Sequence, residues 1–264
     1  MESPKIDYIQ SKDNKTIKHI ISLQQRKYRQ KFGEYTVEGI RAVTDIGKKG
    51  FLRSILIRES KRSELEPLVQ KGFTVSSVYV VQDPIFDKIE HSVNGQGILG
   101  IAKKYVNDLH SFIVEDGLYV ALDGVQDPGN LGTIIRTAVA AGAKGIFLLK
   151  GTVDPYNEKC VRSTMSALCN IPIFEDVTLS EFYDFIKDNT IKTYVTSLEN
   201  AKPYHTISYP KRTMIILGNE GNGVSREIIE MCDQAITIPM YGDIESLNVS
   251  IAAALCMYKV REQI

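Results

Sequence analysis

From Leu118 onward the chain alternates between short β-rich runs and helical stretches: LYVALDG, a helix from Asn130, GIFLL, a helix from Asn157, IPIFE, a helix near Leu179, KTYVTS, TMIILG, a helix from Ser225, AITIP, and a final helix from Leu247. Parallel strands can be joined only by long, usually helical crossovers, so this cadence predicts an α/β fold with a largely parallel sheet and helices on both faces. In such sheets ligands gather beyond the carboxyl ends of the strands. The loops that follow strands are therefore the places to look for chemistry.

The first part of the chain has a different texture. Between Gly33 and Lys104, the runs EYTVE, RSILIRES, VSSVYVV and QGILGIAKK alternate with the helical stretches IRAVTDIGKKG and SELEPLVQKG, which reads as a small α/β unit. Gly72 fits a helix stop, and Gly95 with Gly97 punctuates the last strand. Residues 105–117 have an irregular apolar pattern ending in Asp116-Gly117, a turn signal, and divide residues 1–104 from 118–264. A length of 264 residues accommodates two such domains.

Charge is balanced over the whole chain but not along it. Residues 1–31 hold eight Lys or Arg against three acidic residues, an excess of five positive charges offset elsewhere. A helix here would bury Ile17, Ile20 and Ile21 and turn Lys15, Lys18, Arg26 and Arg29 outward, either as a solvated face or as a nucleic-acid contact. No apolar run approaches the roughly 20 residues that span a bilayer, and the first residues have no secretory-signal pattern, so a cytoplasmic protein is expected. Cys160, Cys169, Cys232 and Cys256 are too dispersed for a zinc site and read as buried thiols. His19, His91, His110 and His205 stand singly, and no metal is expected.

Three loops after strands carry unusual polar residues. In LDGVQDPGNLGTIIRTAVAAG, residues 122–142, Asp127-Pro128-Gly129 makes a turn, Asn130 is the expected N-cap, and Leu131, Ile134, Ile135 and Ala138 form a buried stripe. Arg136 lies one turn beyond Gly132 and can lean back toward Asn130, so the two either share a pocket or serve as surface and cap. In IILGNEGNGVS, residues 215–225, Gly218, Gly223 and Ser225 match a phosphate loop, but Val224 replaces its Lys and Glu220 would repel phosphate. An NTPase is excluded on those grounds. In AITIPMYGDIESLNVSIAAALCMYKV, residues 235–260, Ser246 and Asn248 stand at the entry of a helix whose Leu247, Ile251, Leu255 and Tyr258 share one side, to be buried against the sheet or a second subunit.

Taken together, DPGNLGTIIRTAVAAG, LGNEGNGVS and IPMYGDIESLNVSIAAAL resemble, in order and interval, the three motifs of the SpoU family of RNA ribose 2′-O-methyltransferases, within the SPOUT superfamily. The resemblance covers residues 118–264, including Arg162 and Ser163 in the intervening segment. Ser166 departs from it, standing where many relatives have glycine. TVEGIRAV and GQGILGIAKK are similar, more loosely, to the ribosomal-protein-like RNA-binding domain that precedes the catalytic domain in many relatives.

The resemblance implies a SPOUT-type parallel sheet with a C-terminal trefoil knot, S-adenosylmethionine as methyl donor, and a homodimer. Its cofactor pocket would be lined by Leu217, Gly218, Asn219, Gly221, Ile238, Met240 and Leu247. It puts forward Arg136 to stabilise charge on the acceptor oxygen, Asn130 to orient Arg136 or the ribose, and Glu220, Ser246 and Asn248 to position the acceptor, with Glu220 the alternative base. It raises Lys15, Lys18, Arg26 and Arg29 as RNA contacts. The implied substrate is structured RNA, ribosomal RNA ahead of transfer RNA; a non-catalytic RNA-binding protein of the same fold is the competing reading.

Overall fold

The apolar runs of the chain collapse into two compact units, residues 1–105 with 156–169, and residues 106–155 with 170–264. The computed structural model describes residues 5–69, 75–92 and 95–264. Gly72 lies outside them.

The first unit contains β1 (Lys5–Ile9), α1 (Lys15–Ser22), α2 (Arg26–Phe32), β2 (Glu34–Glu38), α3 (Ile40–Lys48), β3 (Leu52–Arg58), α4 (Leu65–Val69), β4 (Ser77–Val81), α5 (Asp83–Phe86) and β5 (Ile98–Lys103). The sheet order is β1-β4-β3-β5-β2, with β5 antiparallel to both neighbours. Ile17, Ile20 and Leu23 pack with Leu56, Phe86 and Leu99 on one face of it.

The basic segment departs from expectation. Instead of one helix it forms two, broken at Leu23–Gln25. Arg29 is buried rather than outward, because its guanidinium donates to the carbonyls of Leu23 (2.7 Å) and Gln24 (2.8 Å). Those carbonyls follow the end of α1, where backbone acceptors lack helical partners and need another donor. Ile21, expected inside, is exposed. Lys18 pairs with Asp13 at 2.9 Å.

Residues 156–169, which lie in sequence within the expected C-terminal domain, pack with this first unit. The Tyr35 ring is fully buried and meets Tyr156 at 4.8 Å, its hydroxyl lies 3.5 Å from Cys169 Sγ, and Lys49 donates to the Cys169 carbonyl at 3.1 Å. The second unit begins at Val106, and the expected linker is packed against it: Asn107 donates to the Ile173 carbonyl at 3.0 Å, and the Phe112 ring lies 5.0 Å from Phe174. Among the thiols Cys160 and Cys256 are buried, but Cys169 and Cys232 only partly so.

Seven parallel strands build the second unit: β6 (Gly117–Asp123), β7 (Gly145–Leu149), β8 (Ile173–Val177), β9 (Lys192–Thr196), β10 (Lys202–Pro203), β11 (Arg212–Gly218) and β12 (Gln234–Thr237), in the order β10-β12-β9-β11-β6-β7-β8. The helices are α6 (Pro128–Ala140), α7 (Glu158–Thr164, in the first unit), α8 (Leu179–Asp188), α9 (Arg226–Met231) and α10 (Val249–Arg261). One face of the sheet, through Tyr119, Phe147, Phe174 and Met214, receives Phe182, Phe185 and Ile186 of α8 and Ile228 of α9. On α10, which packs against α6, β11 and β6, the buried side is Ala253, Cys256, Met257 and Val260. Ile251, Leu255 and Tyr258 are exposed, so the expected burial of that side does not occur within one chain. Among the described residues no helix is long and apolar enough to cross a membrane.

Backbone strain is concentrated after α7. Met165 and Ser166 take successive left-handed conformations (φ 49° and 72°), and the buried Ser166 Oγ finds no hydrogen-bond partner among the described residues. A left-handed backbone costs an L-residue about 1–2 kcal/mol that glycine escapes. Ser166→Gly is expected to raise unfolding stability by about 1 kcal/mol, read as a higher midpoint in urea at unchanged slope; a lower midpoint would show that the serine is favourable there.

Candidate active site

The ends of β6 and β11 lie side by side, with Asp123 opposite Gly218, so the loops that follow them start from one place at the carboxyl edge of the sheet. Side chains stitch these loops together. Ser225 N–H donates to the Asp123 carboxylate at 2.7 Å, and Asn219 Nδ2 donates to the Gly124 carbonyl at 2.8 Å. Gly124 N–H is held by Thr152 Oγ1, whose hydroxyl donates to the Leu122 carbonyl.

The loop after β11 is a closed miniature hairpin. Asn219 and Gly223 exchange backbone hydrogen bonds of 2.9 and 3.0 Å, and Asn219 Oδ1 accepts from the amides of Gly221 (2.8 Å) and Asn222 (3.1 Å). Those donors, the ones a phosphate loop would aim at its ligand, are thus engaged internally. Gly218 is required by close approach: a Cβ there would lie 2.1 Å from the Gly223 backbone and 2.2 Å from Val224 N.

Glu220, at the tip of this hairpin, is surrounded by donors. Its carboxylate accepts from the amides of Gln126 (3.1 Å) and Asp127 (3.2 Å) and from Asn130 Nδ2 (2.9 Å). Partial burial opposes ionisation, but these hydrogen bonds outweigh it and hold the pKa below the ordinary 4.5. Because an ionised carboxylate only accepts, Asn130 must turn its NH2 toward Glu220 and its oxygen away. That oxygen accepts from Asn248 Nδ2 at 3.0 Å, and Asn248 Oδ1 in turn accepts from the backbone N–H (2.9 Å) and hydroxyl of Ser250. One directed chain, Asn248 to Asn130 to Glu220, therefore ties the entry of α10, the first turn of α6 and the loop after β11.

This chain depends on a cap assigned differently by sequence. Asp127, not Asn130, is the N-cap of α6: its side chain accepts from Asn130 N–H at 2.9 Å and Pro128 takes the first helical position. Asn130 then sits on the first turn with its amide free for the network. Asp127, Gln126, Asp123 and Thr152 were missed as site residues; Pro128 was the available signal, since proline favours the first position after a cap.

The other expected residues divide. Arg136 is on the exposed face of α6 and makes no hydrogen bond or ion pair among the described residues, Asn130 included. Ser246 is exposed and does not join the network. Leu217 is buried in β11, whereas Ile238, Met240 and Leu247, between β12 and α10, are only half-buried. Apolar side chains left half-covered beside strand ends and a glycine-tight backbone suit an adenosine-like ligand. No group of three or more His, Cys, Asp or Glu among the described residues is placed to hold a metal. Gly218→Ala must displace the 219–224 hairpin and is expected to abolish S-adenosylmethionine binding in calorimetry, with about 1–3 kcal/mol lost from unfolding stability; unaltered binding would contradict the close-packed hairpin.

Residues 117–258 match the model of the SpoU rRNA Methylase family, and residues 14–100 match the MRM3-like substrate binding domain. The chain is 33% identical to the 23S rRNA (guanosine(2553)-2′-O)-methyltransferase RlmP of Bacillus subtilis, over 96% of this chain and 98% of that one. Its structure is similar to that of an AdoMet-bound rRNA methyltransferase from Sinorhizobium meliloti, at 30% identity and a TM-score of 0.87, covering 97% and 98% of the two chains. The fold is shared with the SpoU methyltransferase AviRb from Streptomyces viridochromogenes, at 24% identity and a TM-score of 0.86 over 95% of this chain and 98% of that one. The chain belongs to the SpoU rRNA methylase family.

Proposed function

We propose that this protein methylates a ribose 2′-hydroxyl of ribosomal RNA, with the N-terminal unit holding the RNA and the C-terminal unit carrying the reaction. The observation that carries the reading is the Asn248–Asn130–Glu220 chain, which joins the three motif loops around one polar spot at the carboxyl edge of the sheet. The match of residues 14–100 to a substrate-binding domain and the likeness to RlmP support ribosomal RNA over transfer RNA.

Leu217, Gly218, Asn219, Gly221, Ile238, Met240 and Leu247 would hold S-adenosylmethionine, which would supply a methyl group already activated on a sulfonium. The protein then has to align the acceptor oxygen and manage charge on it. Arg136, exposed and uncommitted, binds the RNA phosphate next to the acceptor and stabilises negative charge developing on the 2′-oxygen. Glu220 is poorly suited to take the proton, because its hydrogen bonds favour the ionised form and make it a weak base. Its role is to fix the orientation of Asn130, and Asn130 with Asn248 and Ser246 positions the ribose.

Three further features belong to this reading. The C-terminal chain is threaded as a trefoil knot; the pairing of β11 between β9 and β6, and the return of α10 onto α6, support it. Two copies pair through the C-terminal unit; the exposed Ile251, Leu255 and Tyr258 of α10, with Tyr241 and Ile244 before it, are apolar surface of the kind such contacts cover. A ribosomal RNA substrate supports a cytoplasmic location.

Mapping 2′-O-methyl groups in total RNA from cells with and without the gene tests the function. A site lost from ribosomal RNA alone is expected; a site lost from transfer RNA, or none, overturns it. For the mechanism, Arg136→Ala should lower the transfer rate about 10²–10³-fold while leaving S-adenosylmethionine affinity unchanged, whereas near-wild-type turnover would remove Arg136 from the reaction. The pH sign is also set. A carboxylate whose folded pKa is depressed stabilises the fold fully above its unfolded value of 4.5 and loses that contribution as pH falls through the lower folded pKa. Glu220→Gln should accordingly shrink the stability difference between neutral pH and pH below about 4, measured by urea unfolding; an unchanged difference would mean that Glu220 is not held as described.

A further inference from the structure

We propose that a cleft in the N-terminal unit, between α1, α2 and the sheet, binds one unpaired nucleotide of the RNA, taking its base on Phe32 and its phosphates on Lys15 and Arg53. This rests on the reading that RNA is the substrate. It adds a second, non-catalytic site with its own chemistry.

The cleft encloses about 360 Å³ and is lined by Lys15, His19, Phe32, Glu34, Arg53 and Tyr79 among others. That volume falls within the ~300–1,000 Å³ of small-molecule sites. At its base the Glu34 carboxylate is almost fully buried, accepting from His19 Nε2 at 2.6 Å and from the Arg53 guanidinium. A buried carboxylate held from two sides fixes both partners, so His19 and Arg53 are presented in set positions rather than waving in solvent. Arg53 remains more than half exposed, leaving part of its guanidinium for a ligand.

Phe32 contributes a partly exposed aromatic ring to the lining of the cleft. Phe32 is 43% exposed although it is a large apolar ring; one neighbour, His19, meets it edge-on at 4.8 Å, and Tyr28 stacks with it at 6.1 Å and 11° between planes. Lys31 lies over the Phe32 ring and Lys27 over Tyr28. Aromatic rings interleaved with cations suit single-stranded nucleic acid, because every base offers a flat face and every linkage a negative charge.

A second cleft of about 470 Å³, lined by Gly50, Arg53, Ser76 and Lys103 among others, shares Arg53 with the first. Lys15 and Lys103 have no ion-pair partner among the described residues, so a strand passing from one cleft to the other meets cations at Lys15, Arg53 and Lys103 in turn. None of these except Lys15 was expected to touch RNA from the sequence. The signal was hidden because Phe32, Arg53 and Lys103 converge only through the sheet.

The test is fluorescence anisotropy of the full chain with a labelled single-stranded oligouridylate and with a labelled RNA duplex, alongside calorimetric titration of S-adenosylmethionine. Phe32→Ala should weaken oligouridylate binding about 5- to 100-fold, the range for one lost base stack, with duplex binding unchanged and Phe32→Tyr restoring affinity. Lys15→Gln and Arg53→Gln should each reduce the dependence of log affinity on log salt by about one phosphate contact. Oligouridylate binding by Phe32→Ala equal to wild type, or an equal loss for duplex, overturns the cleft assignment. A wild-type chain that does not bind S-adenosylmethionine overturns the enzymatic reading instead, and leaves the anisotropy result to decide the cleft on its own.

Discussion

The site depends on the hydrogen bonds that converge on Glu220. Three donors from the loop before α6 and from its first turn meet one carboxylate at the tip of the hairpin after β11, and the orientation of Asn130 and then of Asn248 follows from it. A hydrogen bond to a charged group contributes more than one between neutral partners, although water competes for these exposed ones. Loops distant in sequence are thereby held together by interactions that are strong and directional, on a sheet whose strands are too short to position a side chain beyond their ends.

Everything beneath this network serves to bring its ends into reach. The parallel sheet sets Asp123 beside Gly218; Asp127 caps α6 and frees Asn130; and α10, which packs on α6, carries Asn248 to the same spot. Gly218 permits the hairpin to fold flat against the strand end. Rigid elements thus supply coarse placement and oriented amides fine alignment, the two things that the proposed methyl transfer to a hydroxyl requires.

Much of the C-terminal unit could be read in advance. Strands such as GIFLL and KTYVT stand where their apolar runs put them, and Ser225 stands immediately before its helix. What escaped were features decided by tertiary contact. Asn130 is as good a cap as Asp127 by residue type, and only Pro128 separates the two. Arg29 looked like surface because its buried partners are backbone carbonyls, which have no side-chain signature. Residues 156–169 join the first unit through Tyr35, Tyr156 and Cys169, contacts that no local periodicity encodes. The site residues Asn130, Glu220 and Asn248 were recognisable through the resemblance to the SpoU motifs. The chain of hydrogen bonds that links them, and the standing apart of Arg136, needed coordinates.

The central claim is that Glu220 acts through Asn130 and Asn248 as one unit rather than as an independent base. A double-mutant cycle on the methyl-transfer rate, combining Glu220→Gln with Asn248→Ala, measures that coupling directly. The account predicts that the double variant is scarcely slower than the worse single one, a coupling of about 1 kcal/mol or more. Rate losses that simply add would contradict it.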